Sequence, residues 1–186
     1  MIIAKFIFYV NIVAWLFPPF RQKGCKYFLF FLILALSDLI WYSFFQMHIH
    51  DAAYYLFIST LLIAAVMRKK YLLLLLIPVL STGFFLTASE IRFLTMILHF
   101  AILIFFLREF ILIISRESKI VLFDLVILLY EASLIFKFGA SYFLTAGYLF
   151  FYITTAFEIL IAVFFSFVNE KNSPAFKLQM EPEEND

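Results

Sequence analysis

Three carboxylic acids, Asp38, Glu131 and Glu158, stand inside long runs of Leu, Ile, Phe and Ala. Asp38 follows Leu34-Ala35-Leu36-Ser37, Glu131 sits in Leu129-Tyr130-Glu131-Ala132-Ser133, and Glu158 closes Thr154-Thr155-Ala156-Phe157. With these runs read as membrane helices, each acid lies roughly 15 Å from the cytoplasmic end at 1.5 Å rise per residue. That is near the middle of a ~30 Å hydrocarbon core. An ionised carboxylate there costs about 2.5–3.5 kcal/mol on insertion scales. The three acids are therefore expected to point into a bundle interior rather than at lipid. A carboxyl in that setting with no counter-charge carries a proton or acts as an acid. Alternatively it shares a hydrogen bond that only joins helices.

Other polar residues extend the pattern. Thr154 and Thr155 precede Glu158 by four and three positions, so the three share one helix face. Arg92, Thr95 and His99 are spaced i, i+3, i+7 and form a second polar stripe, with His99 either a proton relay or a hydrogen-bonded packing residue. Asn11 is placed to reach the same interior. The candidate binding set is thus Glu158, Thr154, Thr155, His99 and Asn11. Lys137, six residues beyond Glu131, falls on a different face and is expected to snorkel to the outer surface. His48, His50 and Asp51 have the chemistry of metal ligands, but three residues in one short loop are a weak set. No metal and no cofactor are expected. The single Cys25 rules out an intramolecular disulfide and reads as a free cytoplasmic thiol.

The elements that must position these groups follow from composition. The chain has 186 residues, 66% hydrophobic, 22% aromatic and 15% charged, with 28 Phe, and its mean hydropathy is +1.04. A soluble domain is roughly 45–50% apolar and about 25% charged. A water-soluble enzyme, a disulfide scaffold and a nucleic-acid binder are excluded. Breaks at charge, Pro and Gly clusters give seven spans, at 2–20, 27–46, 52–67, 71–88, 91–114, 120–138 and 142–168. The first ends at Phe17-Pro18-Pro19-Phe20 without a small-residue cleavage pattern, and so reads as a membrane helix rather than a cleaved leader. Residues 169–186, closing on Glu181-Pro182-Glu183-Glu184-Asn185-Asp186, read as a disordered acidic tail.

Charge sets the orientation. Eleven of the fourteen Lys and Arg fall after spans one and three, around the end of span five or in the tail, and only Lys5, Arg92 and Lys137 fall on the other side. Retention of Lys and Arg in the cytoplasm then puts the N-terminus outside and the C-terminus inside. That requires an odd number of spans. The expected fold is an all-α polytopic bundle in the cell membrane (the inner membrane for a bacterial chain). Sliding the chain by 93 places span two on span six and span three on span seven. Leu29, Phe30, Leu32 and Leu36 then fall on Leu122, Phe123, Leu125 and Leu129, and Asp38 falls on Glu131. This suggests a parallel internal repeat, although span one does not match span five.

With the acids in place, residues 27–168 resemble the YhhN-like lysoplasmalogenase family. Ser37-Asp38 stands where that family has Gly-Asp, Ile77-Pro78-Val79 where it has a Pro-containing helix, and Glu131 where it has a second aspartate. Phe151-Tyr152 through Glu158 stand where it has an aromatic pair and a polar residue. The chain departs from the pattern at Ser37 and Glu131, lacks the Lys-Pro motif and has one helix fewer. The resemblance implies a membrane-embedded ether hydrolase. A general acid protonates a vinyl-ether carbon of a lysolipid, and water adds to the oxocarbenium ion. Asp38 and Glu131 are the implied catalytic pair, with Glu158 or Thr154 orienting water.

Two readings need no hydrolysis. A 3+1+3 order of spans is similar to SWEET and PQ-loop carriers, which implies proton-coupled movement of a small solute. A non-catalytic membrane subunit or sensor would instead act through a membrane or cytoplasmic protein partner. All three readings share membrane lipids as surroundings and an interior site for a small or lipid-like ligand.

Overall fold

The computed structural model describes residues 2–46, 51–67, 81, 86–143 and 147–178. It is all-helical apart from one two-stranded ribbon. The elements are α1 (Ile2–Leu16), α2 (Pro18–Arg21), α3 (Phe28–Gln46), α4 (Asp51–Met67), α5 (Ala88–Glu117), β1 (Lys119–Val121), α6 (Leu122–Phe143), α7 (Tyr148–Phe167) and β2 (Ala175–Lys177). Of these, Ala88–Glu117 and Leu149–Phe167 are long and apolar enough to cross a membrane. Phe6–Arg21, Phe28–Ser37 and Ala53–Met67 are shorter apolar helices. Span 71–88 lies outside the described residues except for Ser81 and its last three positions, as do His48 and His50.

Several boundaries differ from those expected. Span 2–20 is broken after Leu16, and Pro18 and Pro19 open the separate turn α2. The reason is local: proline has no N–H to continue a ladder, yet its fixed φ suits a first helical turn. Span 120–138 begins as a strand, because Lys119, Ile120 and Val121 pair antiparallel with Lys177, Phe176 and Ala175. The helix that follows runs on through Gly139 to Phe143. A Cβ on Gly139 would sit 3.7 Å from Met96 Sδ, so α5 and α6 approach closely there. Tyr142 and Phe143 therefore belong to α6, and the last helix starts only after Gly147.

The tail also departs from expectation over its first ten residues. Asn169–Leu178 is held by β2, by Ser173 Oγ accepting from Phe123 N at 2.8 Å, and by Leu178 N donating to Ser118 O at 2.8 Å. Gln22, fully buried, donates from Nε2 to Phe165 O and Val168 O at 3.0 and 2.8 Å. Residues 179–186 lie outside the described set.

Ser118 ends α5 with φ 47, in the left-handed region. That conformation costs an L-residue about 1–2 kcal/mol, while glycine adopts it freely at a lower cost of chain entropy. The S118G variant is expected to be more stable by about 0.5–1 kcal/mol. A thermal melt in detergent checks this, and a lowered Tm would show that the serine side chain matters for another reason.

Among the described residues the long helices form a ring. Contacts run from α1 to α3, α4, α5, α6 and α7 in turn, and α7 returns to α1. At one end the ring is filled by aromatic rings. Phe31 meets Phe165 at 4.7 Å, Phe123 meets Phe165 at 5.2 Å, and Phe30 meets Phe106 edge-on at 5.5 Å. Phe30, Phe31, Phe123 and Phe165 are fully buried. Outward, the pattern inverts that of a soluble protein. Phe93, Ile97, Phe100, Ile104, Leu107 and Ile111 form an exposed stripe on α5, opposite buried Thr95, His99, Ile102 and Phe106.

Candidate functional site

Above the aromatic plug the ring encloses a cavity of about 640 Å³. Every long helix contributes polar atoms to its wall: Asn11 from α1, Ser37 from α3, Ser59 from α4, Arg92 and His99 from α5, Lys137 and Ser141 from α6, Thr155 and Glu158 from α7. Trp15, Tyr54, Phe138 and Phe151 supply broad apolar faces between them. Such a mixture suits an amphipathic or small ligand that needs orienting.

Two buried pairs organise the polar wall. His99 Nδ1 lies 2.9 Å from Glu131 Oε2, and its Nε2 lies 3.0 Å from Ser59 Oγ. The imidazole stacks on Phe138 at 5.2 Å, which fixes its plane. Glu131 is fully buried, and among the described residues its Oε1 has no hydrogen-bond partner. Ser59 Oγ is also 2.7 Å from Tyr55 O. With neutral His99, Nδ1–H donates to Glu131 and the serine hydroxyl donates to Nε2. With His99 protonated, Nε2–H donates to Ser59, whose hydroxyl turns to Tyr55 O. The same heavy-atom positions thus fit either form of the imidazole.

The second pair corrects an expectation. Lys137 does not extend to the outer surface: its Nζ donates to both oxygens of Glu158, at 2.9 and 3.0 Å. Lys137 and Glu131 do lie on different faces of α6. That helix sits between α5 and α7, so one face carries Glu131 to His99 and the other carries Lys137 to Glu158. A basic residue near a helix end has been drawn inward by an acid that would otherwise be buried without a counter-charge.

The remaining candidates divide. Asn11 and Thr155 line the cavity, as do His99 and Glu158. The Oδ1 of Asn11 is buried with no hydrogen-bond partner among the described residues. Thr154 instead donates back to Phe150 O and Phe151 O of its own helix and takes no part in the wall. Glu131 stands behind His99 rather than in the wall. Asp38 lies within α3, but its side chain is outside the described set, as is that of Asp51.

Sequence reasoning missed Ser59. Its only signal was a Ser-Thr pair inside the apolar run of α4, a pattern that back-bonding residues also produce. No family model matches the chain, and neither the curated proteins nor the solved structures yield a match.

Proposed function

We propose that this chain is a seven-span membrane protein, N-terminus outside and C-terminus inside, whose helix ring holds a small or lipid-like ligand for acid–base chemistry. Support for the membrane setting comes from the exposed apolar stripe on α5 and from the one-sided distribution of Lys and Arg. The observation that carries the reading is the Glu131–His99–Ser59 series, which runs from a fully buried carboxyl to the wall of a 640 Å³ cavity.

In this reading Glu131 acts through His99. The imidazolium, stabilised by the carboxylate behind it, is the general acid that delivers a proton into the cavity. A carboxylate on the wall then accepts a proton from water. Glu158 and Asp38 are the candidates for that second role. The resemblance to YhhN-like lysoplasmalogenases suggests the substrate, a vinyl-ether lysolipid. Protonation of its outer vinyl carbon gives an oxocarbenium ion, water adds, and the hemiacetal collapses to an aldehyde and an alcohol.

A second reading, a proton-coupled carrier, is favoured by the cyclic order of the helices. Advancing three places around the ring takes α3 to α6 and α4 to α7, the same pairing that the offset of 93 gives. Burial is in phase as well, since Phe30, Phe31 and Leu34 fall on Phe123, Asp124 and Ile127 and all six are buried. This supports a parallel duplication around a central site, as many carriers have.

The test is aldehyde release from a vinyl-ether lysolipid by purified protein in detergent. Release that falls strongly in E131Q, and in one of D38N and E158Q, is the expected result. Absence of release from folded protein, together with proton-driven solute uptake into proteoliposomes, would replace the hydrolase reading with the carrier.

A further inference from the structure

The Glu131–His99–Ser59 series runs from behind the cavity wall into it. Glu131 is fully buried and absent from the cavity wall, whereas His99 and Ser59 both belong to that wall. Carboxylate to imidazole is 2.9 Å and imidazole to hydroxyl is 3.0 Å, through opposite ring nitrogens. This is the geometry by which a carboxylate fixes a histidine tautomer and the histidine activates a hydroxyl. A serine that merely satisfied its own helix would need only Tyr55 O, which it reaches at 2.7 Å. The additional contact with His99 Nε2 sets the same hydroxyl against the imidazole, on the ring nitrogen opposite Glu131.

We infer that Ser59 is a nucleophile and that the cavity hydrolyses carboxylic esters of lipid-like molecules through an acyl-serine intermediate. The inference rests on the proposed lipid-like ligand and names a further reaction for the same cavity. Ser59 Oγ bonds to the ester carbonyl carbon while its proton passes to His99 Nε2. The carbon–oxygen bond to the alcohol breaks, and the departing alkoxide takes that proton. Water then adds to the acyl-serine, gives a proton to Nε2, and releases the carboxylic acid as Ser59 recovers its hydrogen. Glu131 holds the ring and stabilises the imidazolium without touching substrate, so it is a positioning residue. Arg92 lines the same wall and brings positive charge to the cavity in which the carbonyl oxygen becomes negative, whereas Lys137 is engaged by Glu158.

The experiment treats full-length protein in detergent with an alkyl fluorophosphonate, followed by mass spectrometry of the adduct. Thermal shift with an acyl lysolipid is measured in parallel. A covalent adduct on Ser59 is expected, abolished in S59A and formed about 100-fold more slowly in H99N and E131Q, the range general base assistance supplies. Should S59A fail to fold, the site of the adduct in the unmodified protein decides alone. A protein that is stabilised by the lysolipid yet forms no adduct overturns the nucleophile and leaves the ligand reading standing. An adduct on any other residue overturns it equally. No stabilisation and no adduct overturn both.

Discussion

K137A is expected to cost about 3 kcal/mol of stability, the lower end of what breaking one side of a buried ion pair costs. In a chain of this size that corresponds to a Tm lower by roughly 6–12 °C. Lys137 and Glu158 are unequally placed, with side-chain exposures of 25% and 7%. Removing the lysine strands a nearly buried acid without its counter-charge. Removing the acid by E158Q leaves a lysine whose long stem can turn outward and solvate its ammonium. E158Q should therefore cost about 1 kcal/mol, close to the loss of a hydrogen bond. The double variant, K137M with E158L, should recover most of the loss, because an apolar pair of similar volume carries no desolvation penalty. Thermal melts of the three variants in one detergent decide the matter. Equal losses in K137A and E158Q, or a double variant no better than K137A, would show that the pair is not the stabilising unit.

Which parts of this arrangement were legible in the sequence has a physical basis. The helices at Phe28–Gln46 and Asp51–Met67 fall within one residue of the expected spans, because charge and polar clusters bound each apolar run on both sides. The break after Leu16 was readable in Pro18-Pro19 but was subordinated to the length of the apolar run. The ribbon was not readable, since Lys119–Val121 forms a strand only where Ala175–Lys177 comes back to it. Glu131 and Glu158 are buried as expected, because a charge in a long apolar run is costly facing lipid and so turns inward. Their partners depend on which helices are neighbours. His99 sits on α5 and Lys137 on α6, and nothing local to either sequence names the acid it meets. Rotation about α6 did separate Lys137 from Glu131; the missing fact was that α7, with Glu158, occupies that other side.

The second large effect separates the fold from the chemistry at Glu131. H99A would leave a fully buried carboxyl with neither oxygen bonded, because Oε1 already has no hydrogen-bond partner among the described residues and Oε2 bonds His99. A loss of about 3–5 kcal/mol is expected, the cost of an uncompensated buried charge. E131Q behaves differently. The amide oxygen can still accept from His99 Nδ1–H, and the formal charge is gone, so stability should change by no more than about 1 kcal/mol. Turnover should nonetheless fall by about 10²–10⁴, the range that a positioned acid–base group contributes. A neutral amide puts no negative charge beside His99, so the pair no longer supports the proposed acid–base step. Tm and aldehyde release measured on the same preparations test both halves. An E131Q protein that is stable and fully active would mean that Glu131 only joins α5 to α6. An H99A protein as stable as E131Q would mean that the carboxyl is already uncharged in the folded chain, with its proton on Glu131 rather than shared with the imidazole.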